Sequence, residues 1–451
     1  MNITSSDWLV FGLGMLATVA LVVYGHRRRP RKDNGMLDYL LMGRQLTLPL
    51  YVMTLTATWY GGIFGVTQIA FQHGIYSFLI QGLFWYATYI LFALVFVKHV
   101  RKYSALTLPQ LVTRMFGNKA GKLSSVFNFF NVLPIAYATS LGLLLQSITG
   151  MSFQLSVLVG VVAVACYSMY GGFRAIVYSD VMQFFLMYAA VISVIYFSYQ
   201  THGGLSFLQQ ALPTSHFSLT ADVPLLTTFV WGFIALSTLV DPNFYQRIFA
   251  ARSEQVARRG ILIATLVWMV FDLCTVFGAM YARAVLSDHD ASNAYLIYAL
   301  QVLPSPWGGL LLAGICATIL STLDSYMLIA STTLSYDIGN YKSRIVPHAT
   351  ALAMTATITI LLSYLFAGEI PHIWKTLGTY SAACLLFPVV CGFFLPAQAI
   401  KDTHFVCVCL ASAVAVTVWR YLGWELDELY IGVGVSIIGI AFSYLAYKKN
   451  S

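Results

Sequence analysis

The chain reads as an all-α integral membrane protein, and three observations lead there. It is 59% hydrophobic and 9% charged over 451 residues, with a mean hydropathy of +0.76, a balance too apolar for a water-soluble fold of that length. Its apolar stretches recur at the length that crosses a bilayer, about 20 residues each. Its basic residues fall almost entirely on one side of the membrane that those stretches define.

Thirteen spans are expected. A leading stretch, 8–25, is followed by 46–72, which is interrupted at Leu55 to Gly65 (LTATWYGGIFG) by small and polar residues that let a membrane helix unwind and expose carbonyls. Next come 75–97, 121–149, 151–171 and 174–199, the last carrying Asp180; then 224–241, and 258–285 with Asp272 deep in it. The stretch 306–337 carries Thr318, Ser321, Thr322 and Ser325 at spacings of three and four, so their oxygens line one stripe of a helix. Four more, 346–367, 371–398, 403–422 and 429–447, complete the set.

With the N-terminus outside, 22 of the 25 Lys and Arg residues fall on the inner side, leaving Arg283, Lys375 and Arg420 outside. This positive-inside bias places the C-terminus in the cytoplasm of a multi-pass protein of the plasma (inner) membrane. The net charge of +8 therefore reports orientation, not nucleic-acid binding, and the run Arg27 to Lys32 reads as a basic face toward anionic lipid headgroups. Because that cluster follows the first apolar stretch and Asp7 precedes it, the first helix is expected to be retained and not cleaved as a signal peptide. All seven cysteines fall in spans and read as buried thiols. The nine histidines lie in loops or at helix ends, which suggests neither a zinc site nor a histidine relay. The longest polar connections, 26–45, 200–223, 242–257 and 286–305, are too short for a soluble catalytic domain. Enzyme activity is not expected, nor is an obligate protein partner evident, and transport, conduction or sensing remain.

A carboxylate in mid-helix costs roughly 2.5 to 3.5 kcal/mol on insertion scales, so each needs a reason. Asp324, beside Ser321 and Ser325, has two readings: an extension of the stripe into a cation site, or a structural acid. Asp180 is either functional or an interfacial acid paired with Arg174. Asp272, one turn after Trp268, reads as a solute or proton site or as a buried hydrogen-bonding group.

Three motifs, Gly171 to Tyr188 (GGFRAIVYSDVMQFFLMY), Asp241 to Ala251 (DPNFYQRIFAA) and Ala317 to Ser325 (ATILSTLDS), together with LTATWYGG at Leu55, resemble the signatures of the sodium:solute symporter family over nearly the whole chain. The resemblance implies a LeuT-type fold: a leading helix (8–25), two inverted five-helix repeats (46–199 and 224–398) and trailing helices (403–447). Helices broken at the midplane then present carbonyls and helix ends to a buried ligand. The break is expected near Thr58 to Gly62 in the first repeat and, on a weaker signal, within Gly232 to Thr238 in the second.

By the same resemblance, sodium is the coupling ion, held by the carbonyls of Leu55, Thr58 and Thr318 and the hydroxyls of Ser321 and Thr322. Neutral oxygens suit a monovalent ion that must leave every cycle; the plainer reading is that these hydroxyls only bond back to their own helix. A second ion maps onto Asp180, Asp324 and Ser325. The solute site is expected around Trp59, Tyr60, Gly61, Gly62, Gln81, Phe84, Ser237, Trp268, Asp272 and Tyr380. Gly61 and Gly62 stand where sugar-transporting relatives carry an acid and an amide, whereas Gln81 matches a polar position of sugar and sialic-acid members. No basic residue occurs between Ser124 and Met151, where the sialic-acid members carry an arginine. Trp59 resembles an aromatic of the choline-transporting branch, but Leu133 and Asp241 stand where tryptophans of that cage would be. The expected activity is sodium-coupled uptake of a small neutral, zwitterionic or cationic organic solute. The alternatives are proton coupling through Asp272 or Asp180, a transporter-like sensor, and a channel.

Overall fold

An apolar bilayer offers the backbone no partners, so a spanning segment must satisfy its own N–H and C=O groups by forming a helix. The computed structural model describes residues 3–28, 35–168, 172–221, 223–339, 345–366, 369–396 and 398–450. Helices dominate these residues, and the only β-type pairing among them is an isolated bridge between Leu46 and Ala251. Gly171 of the first motif, the expected span limits at 171 and 367, and Arg29, Arg31, Lys32, Lys342 and Arg344 lie outside the described residues.

In chain order the main helices are α1 (Ser5–Arg27), α2 (Leu48–Ala57), α3 (Ile63–His73), α4 (Tyr76–Lys102), α5 (Asn118–Thr149), α6 (Phe153–Ser168) and α7 (Gly172–His202). They continue as α8 (Leu225–Leu236), α9 (Pro242–Ala250), α10 (Glu254–Val285), α11 (Trp307–Ile338), α12 (Ile345–Leu365), α13 (Ile370–Phe394), α14 (Asp402–Leu422) and α15 (Glu428–Asn450). Among the described residues, eleven spans, with α8 and α9 taken together, are long and apolar enough to cross a membrane. Thirteen were expected; the 46–72 stretch is split into α2 and α3, and the 151–171 stretch is described as a helix from Phe153 to Ser168, its expected end lying outside the described residues.

The centre of the bundle is α11, whose apolar window is 89% enclosed, against 17% for α1 at the periphery. It packs closely on α7 because the contact is made of small residues: a Cβ on Gly314 would lie 2.3 Å from the Cβ of Ala190. At one end Asp7 completes a capping box with Thr4 and also accepts the N–H of Gly309 at 3.0 Å, tying α1 to α11. The acid that argues against a signal peptide thus has a structural use of its own.

Candidate functional site

Four irregular segments meet near the middle of the bundle. The first lies between α2 and α3, where residues 58–62 leave the helix, at the expected place. Two contacts require glycine there: a Cβ on Gly61 would lie 2.5 Å from the Cβ of Thr322, and one on Gly62 would lie 2.0 Å from the Trp374 ring. The second lies between α8 and α9, where Ser237–Val240 tightens into a 3-10 turn and Asp241 is extended. It falls at the far end of the expected interval because the helix restarts at a strong N-terminal signal, Pro242 behind an Asp241 cap that accepts the N–H of Asn243 at 2.7 Å. The third is a π turn in α4, Leu79–Leu83, which carries Gln81; such turns are frequent at functional positions. The fourth is the interruption of α5 before Pro134.

Between them lies a cavity of about 120 Å³, close to the roughly 150 Å³ that admits a benzene-sized guest. The first break contributes Trp59, Tyr60 and Gly62, the second Ser237, Thr238 and Asp241, and α4 contributes Gln81 and Trp85. Tyr137, Tyr326, Trp231 and Trp374 add aromatic rings. Gln81 keeps its Nε2 buried without a partner, an unused donor beside a space of solute size. Trp59 is locked edge-on against Tyr89 and Phe244, with ring centroids 5.6 and 6.0 Å away.

Behind the first break runs the hydroxyl stripe of α11. Because α2 stops at Ala57, its last carbonyls lose their helical donors, and they are taken up by neighbours. The Ala57 carbonyl accepts Ser321 Oγ at 2.8 Å, that of Thr56 accepts Trp268 Nε1 at 3.1 Å, and that of Leu55 has only a long contact with Thr58 Oγ1 at 3.4 Å. Thr322 Oγ1 accepts the N–H of Gly61 at 2.9 Å and donates to the Thr318 carbonyl at 3.2 Å. Ser321 also approaches that carbonyl, at 3.1 Å. The hydroxyls therefore do bond back to their own helix, but Ser321 and Thr322 reach across to a segment more than 250 residues away in sequence. The group holds neutral oxygens only, a donor set that fits sodium.

One layer further along α11 lies a charged cluster. The Arg247 guanidinium is fully buried. It donates to Thr54 Oγ1 at 3.0 Å, to Ser325 Oγ at 3.3 Å and to the Asn243 side chain, and lies 3.7 Å from Asp180 Oδ2. Thr54 donates to the same carboxylate, and Asp324 accepts the Tyr167 hydroxyl at 3.1 Å. Asp180 Oδ1 and Asp324 Oδ1 are both buried without hydrogen-bond partners. One sequence expectation, the partner of Asp180, is corrected here. The base facing Asp180 is Arg247, counted above among the inner-side charges, whereas Arg174 pairs with Asp38 at 2.7 Å.

Residues 39–370 match the model of the sodium:solute symporter family. The chain belongs to that family. It is 25% identical to the sodium/pantothenate symporter of Escherichia coli K12 over 95% of both chains. It is 26% identical to the sodium/proline symporter of the same organism over 77% of this chain and 74% of that one. In fold it is similar to a Na+-coupled sialic acid symporter in a substrate-bound outward-open state, with a TM-score of 0.79 and 16% identity over 98% of this chain and 97% of the other. The protein is thus a multi-pass membrane transporter of LeuT-type fold that couples sodium to symport of a small solute, and it is not an enzyme.

Within this symporter the expected solute residues divide. Trp59, Tyr60, Gly62, Gln81 and Ser237 line the cavity. The other five lie off its wall, each for a local reason. Gly61 is turned to Thr322. Phe84 stacks on Phe229 in a separate depression. Trp268 is fully buried and holds the end of α2 through its indole N–H. Asp272 takes the Tyr86 hydroxyl and lies beside that of Tyr60, one residue removed from the cavity. Tyr380 bonds Thr417 at 2.8 Å and carries Arg420 over its ring. Sequence reasoning missed Trp85, Tyr137, Trp231, Tyr326 and Trp374 on the wall, since aromatic residues make up 15% of the chain and none of these stands in a distinctive pattern. Asp241 did carry a signal, the Asp-Pro pair that opens a helix.

Proposed function

We propose that sodium is held by the carbonyls of Leu55, Thr58 and Thr318 and the hydroxyls of Ser321 and Thr322, while the solute occupies the adjoining cavity against Trp59, Tyr60, Gly62, Gln81 and Ser237. The observation that carries this reading is the contact of Ser321 with Ala57 and of Thr322 with Gly61. A cation that draws these hydroxyl oxygens toward itself also positions the segment 58–62, which forms one wall of the solute cavity. Ion binding and solute binding are then coupled through the same five residues, and each raises the affinity of the other by the same factor.

The repeats run over 46–199 and 224–398, with 8–25 leading and 403–447 trailing, so the two broken helices head corresponding halves and alternating access rocks one against the other. The charge distribution supports an outside N-terminus and a cytoplasmic C-terminus in the plasma membrane. Asp180 and Asp324 are two carboxyl groups near a single guanidinium, Arg247, and each has a buried oxygen without a hydrogen-bond partner. These two acids with Ser325 form the site of a second sodium. One sodium moving down about 100 mV and a tenfold gradient supplies about 2.3 plus 1.4 kcal/mol, enough for several hundredfold accumulation, and a second squares it. The relatives carry pantothenate and proline by name; at this identity their solutes do not transfer.

The test is the thermal stability of the purified protein in sodium against potassium at equal ionic strength, for wild type and Ser321→Ala. A sodium-specific rise that the variant loses supports the site; identical curves in both salts for the wild type reject it.

A further inference from the structure

Among the described residues that line the cavity, one carries a formal charge, and it is negative: Asp241. Its oxygens are engaged only by neutral donors, the Asn243 N–H at 2.7 Å and the Tyr326 hydroxyl at 3.1 Å. No basic group of the described residues comes within 4.0 Å of it. Arg247, six residues on, is turned to Thr54, Ser325 and Asp180.

Helix capping does not explain the charge. Asn, Ser or Thr caps with a neutral acceptor, whereas a half-buried carboxylate beside an apolar space carries a desolvation penalty until a counter-charge arrives. Much of what surrounds that space is aromatic, with Trp59, Trp85, Tyr137, Trp231 and Trp374 among the residues that line it. Ring faces attract a cation through their quadrupoles, most strongly where water is displaced. Carboxylate and rings together form a box for a charged nitrogen, and the free Nε2 of Gln81 adds one donor for an acceptor elsewhere on the solute.

Resting on the symport reading and narrowing it, we infer that the transported solute bears a substituted ammonium group, seated against Asp241 and the aromatic wall, with a hydrogen-bond acceptor directed at Gln81. The cavity, about 120 Å³, suits a compact solute of about the size of a benzene-like guest. A solute whose only charge is negative meets the Asp241 carboxylate and is excluded.

Three probes of nearly equal shape test this: choline, its neutral isostere 3,3-dimethyl-1-butanol, and the anion 3,3-dimethylbutyrate. Thermal stabilisation of the full-length protein is titrated with each in sodium. Choline is expected to stabilise with an apparent affinity about tenfold or more above the neutral probe, and the anion not at all. Asp241→Asn, which keeps the capping acceptor, is expected to retain the sodium-specific stabilisation and to lose the choline preference. An equal or stronger response to the neutral or anionic probe, undiminished choline binding in Asp241→Asn, or no response to any of the three overturns the inference. In each of those cases a persisting sodium-specific shift leaves the symport reading standing, whereas its absence in the wild type defeats that reading instead.

Discussion

Ser321→Ala separates structure from ion binding at a single oxygen. The Ser321 hydroxyl bridges the Ala57 carbonyl at 2.8 Å and the Thr318 carbonyl at 3.1 Å. Its removal leaves the Ala57 carbonyl buried at the end of α2 without that donor, a loss of about 1 to 3 kcal/mol that is the same in every salt. With sodium present the same oxygen is one of five proposed ligands. An interaction between a neutral dipole and a full charge contributes about 1.5 to 3 kcal/mol, so the apparent sodium affinity should fall about ten- to a hundredfold. Wild type at about 100 times its dissociation constant gains roughly 2.7 kcal/mol; at the same concentration the variant should gain between about 1.4 kcal/mol and 0.4 kcal/mol. The assay is a sodium titration of thermal stability at constant ionic strength, with potassium as replacement, so that the potassium baseline reports the structural part and the titration midpoint the ionic part. A variant with a lowered baseline and an unmoved sodium midpoint would refute the site and reduce Ser321 to a helix-to-helix hydrogen bond.

Other outcomes follow from single contacts. Gly62→Ala should abolish solute uptake while protein still reaches the membrane, because the new methyl meets the Trp374 ring, an overpacking of about 1 to 3 kcal/mol at the cavity wall; uptake assays beside surface quantification check it. Asp324→Asn should lower the sodium-to-solute ratio measured by reversal potential in proteoliposomes, and an unchanged ratio would return the residue to a purely structural role. In the connection between α7 and α8, burial holds the His216 imidazole below its ordinary pKa, the nearby Arg283 acts in the same sense, and a bond to the Phe71 carbonyl opposes both in part. The folded state therefore favours the neutral ring. Stability is unaffected above the ordinary histidine pKa of about 6.5 and falls as pH drops below it toward the depressed folded value. His216→Gln should flatten this part of a pH–stability profile, and a profile identical to wild type would show that another group is responsible.

Much of this protein is legible without a structure because a bilayer forces each segment to satisfy its own backbone. Hydropathy along the chain is then enough to place most spans, and among the described residues the clear departure is where α2 gives way to α3. The hydroxyl stripe was equally readable, since Thr318, Ser321, Thr322 and Ser325 share one helix and their alignment follows from helical period alone. The first break announced itself through Gly61 and Gly62, small residues in a place where backbone and side chains meet.

What the sequence by itself determined is thus everything set within one helix: the membrane class, the spans, the oxygen stripe and the first break. Only the tertiary structure decided which helices face one another. It set Arg247 against Asp180 and matched Arg174 with Asp38; charge counts register how many such groups exist, not which meet. It brought Gln81, Asp241, Tyr326 and Trp374 around one cavity and left Phe84, Trp268 and Tyr380 outside it. The physical reason is that a side chain's partner in a helical bundle depends on the rotation and depth of a neighbouring helix. Those are fixed by close packing such as Gly314 on Ala190, between residues more than a hundred positions apart.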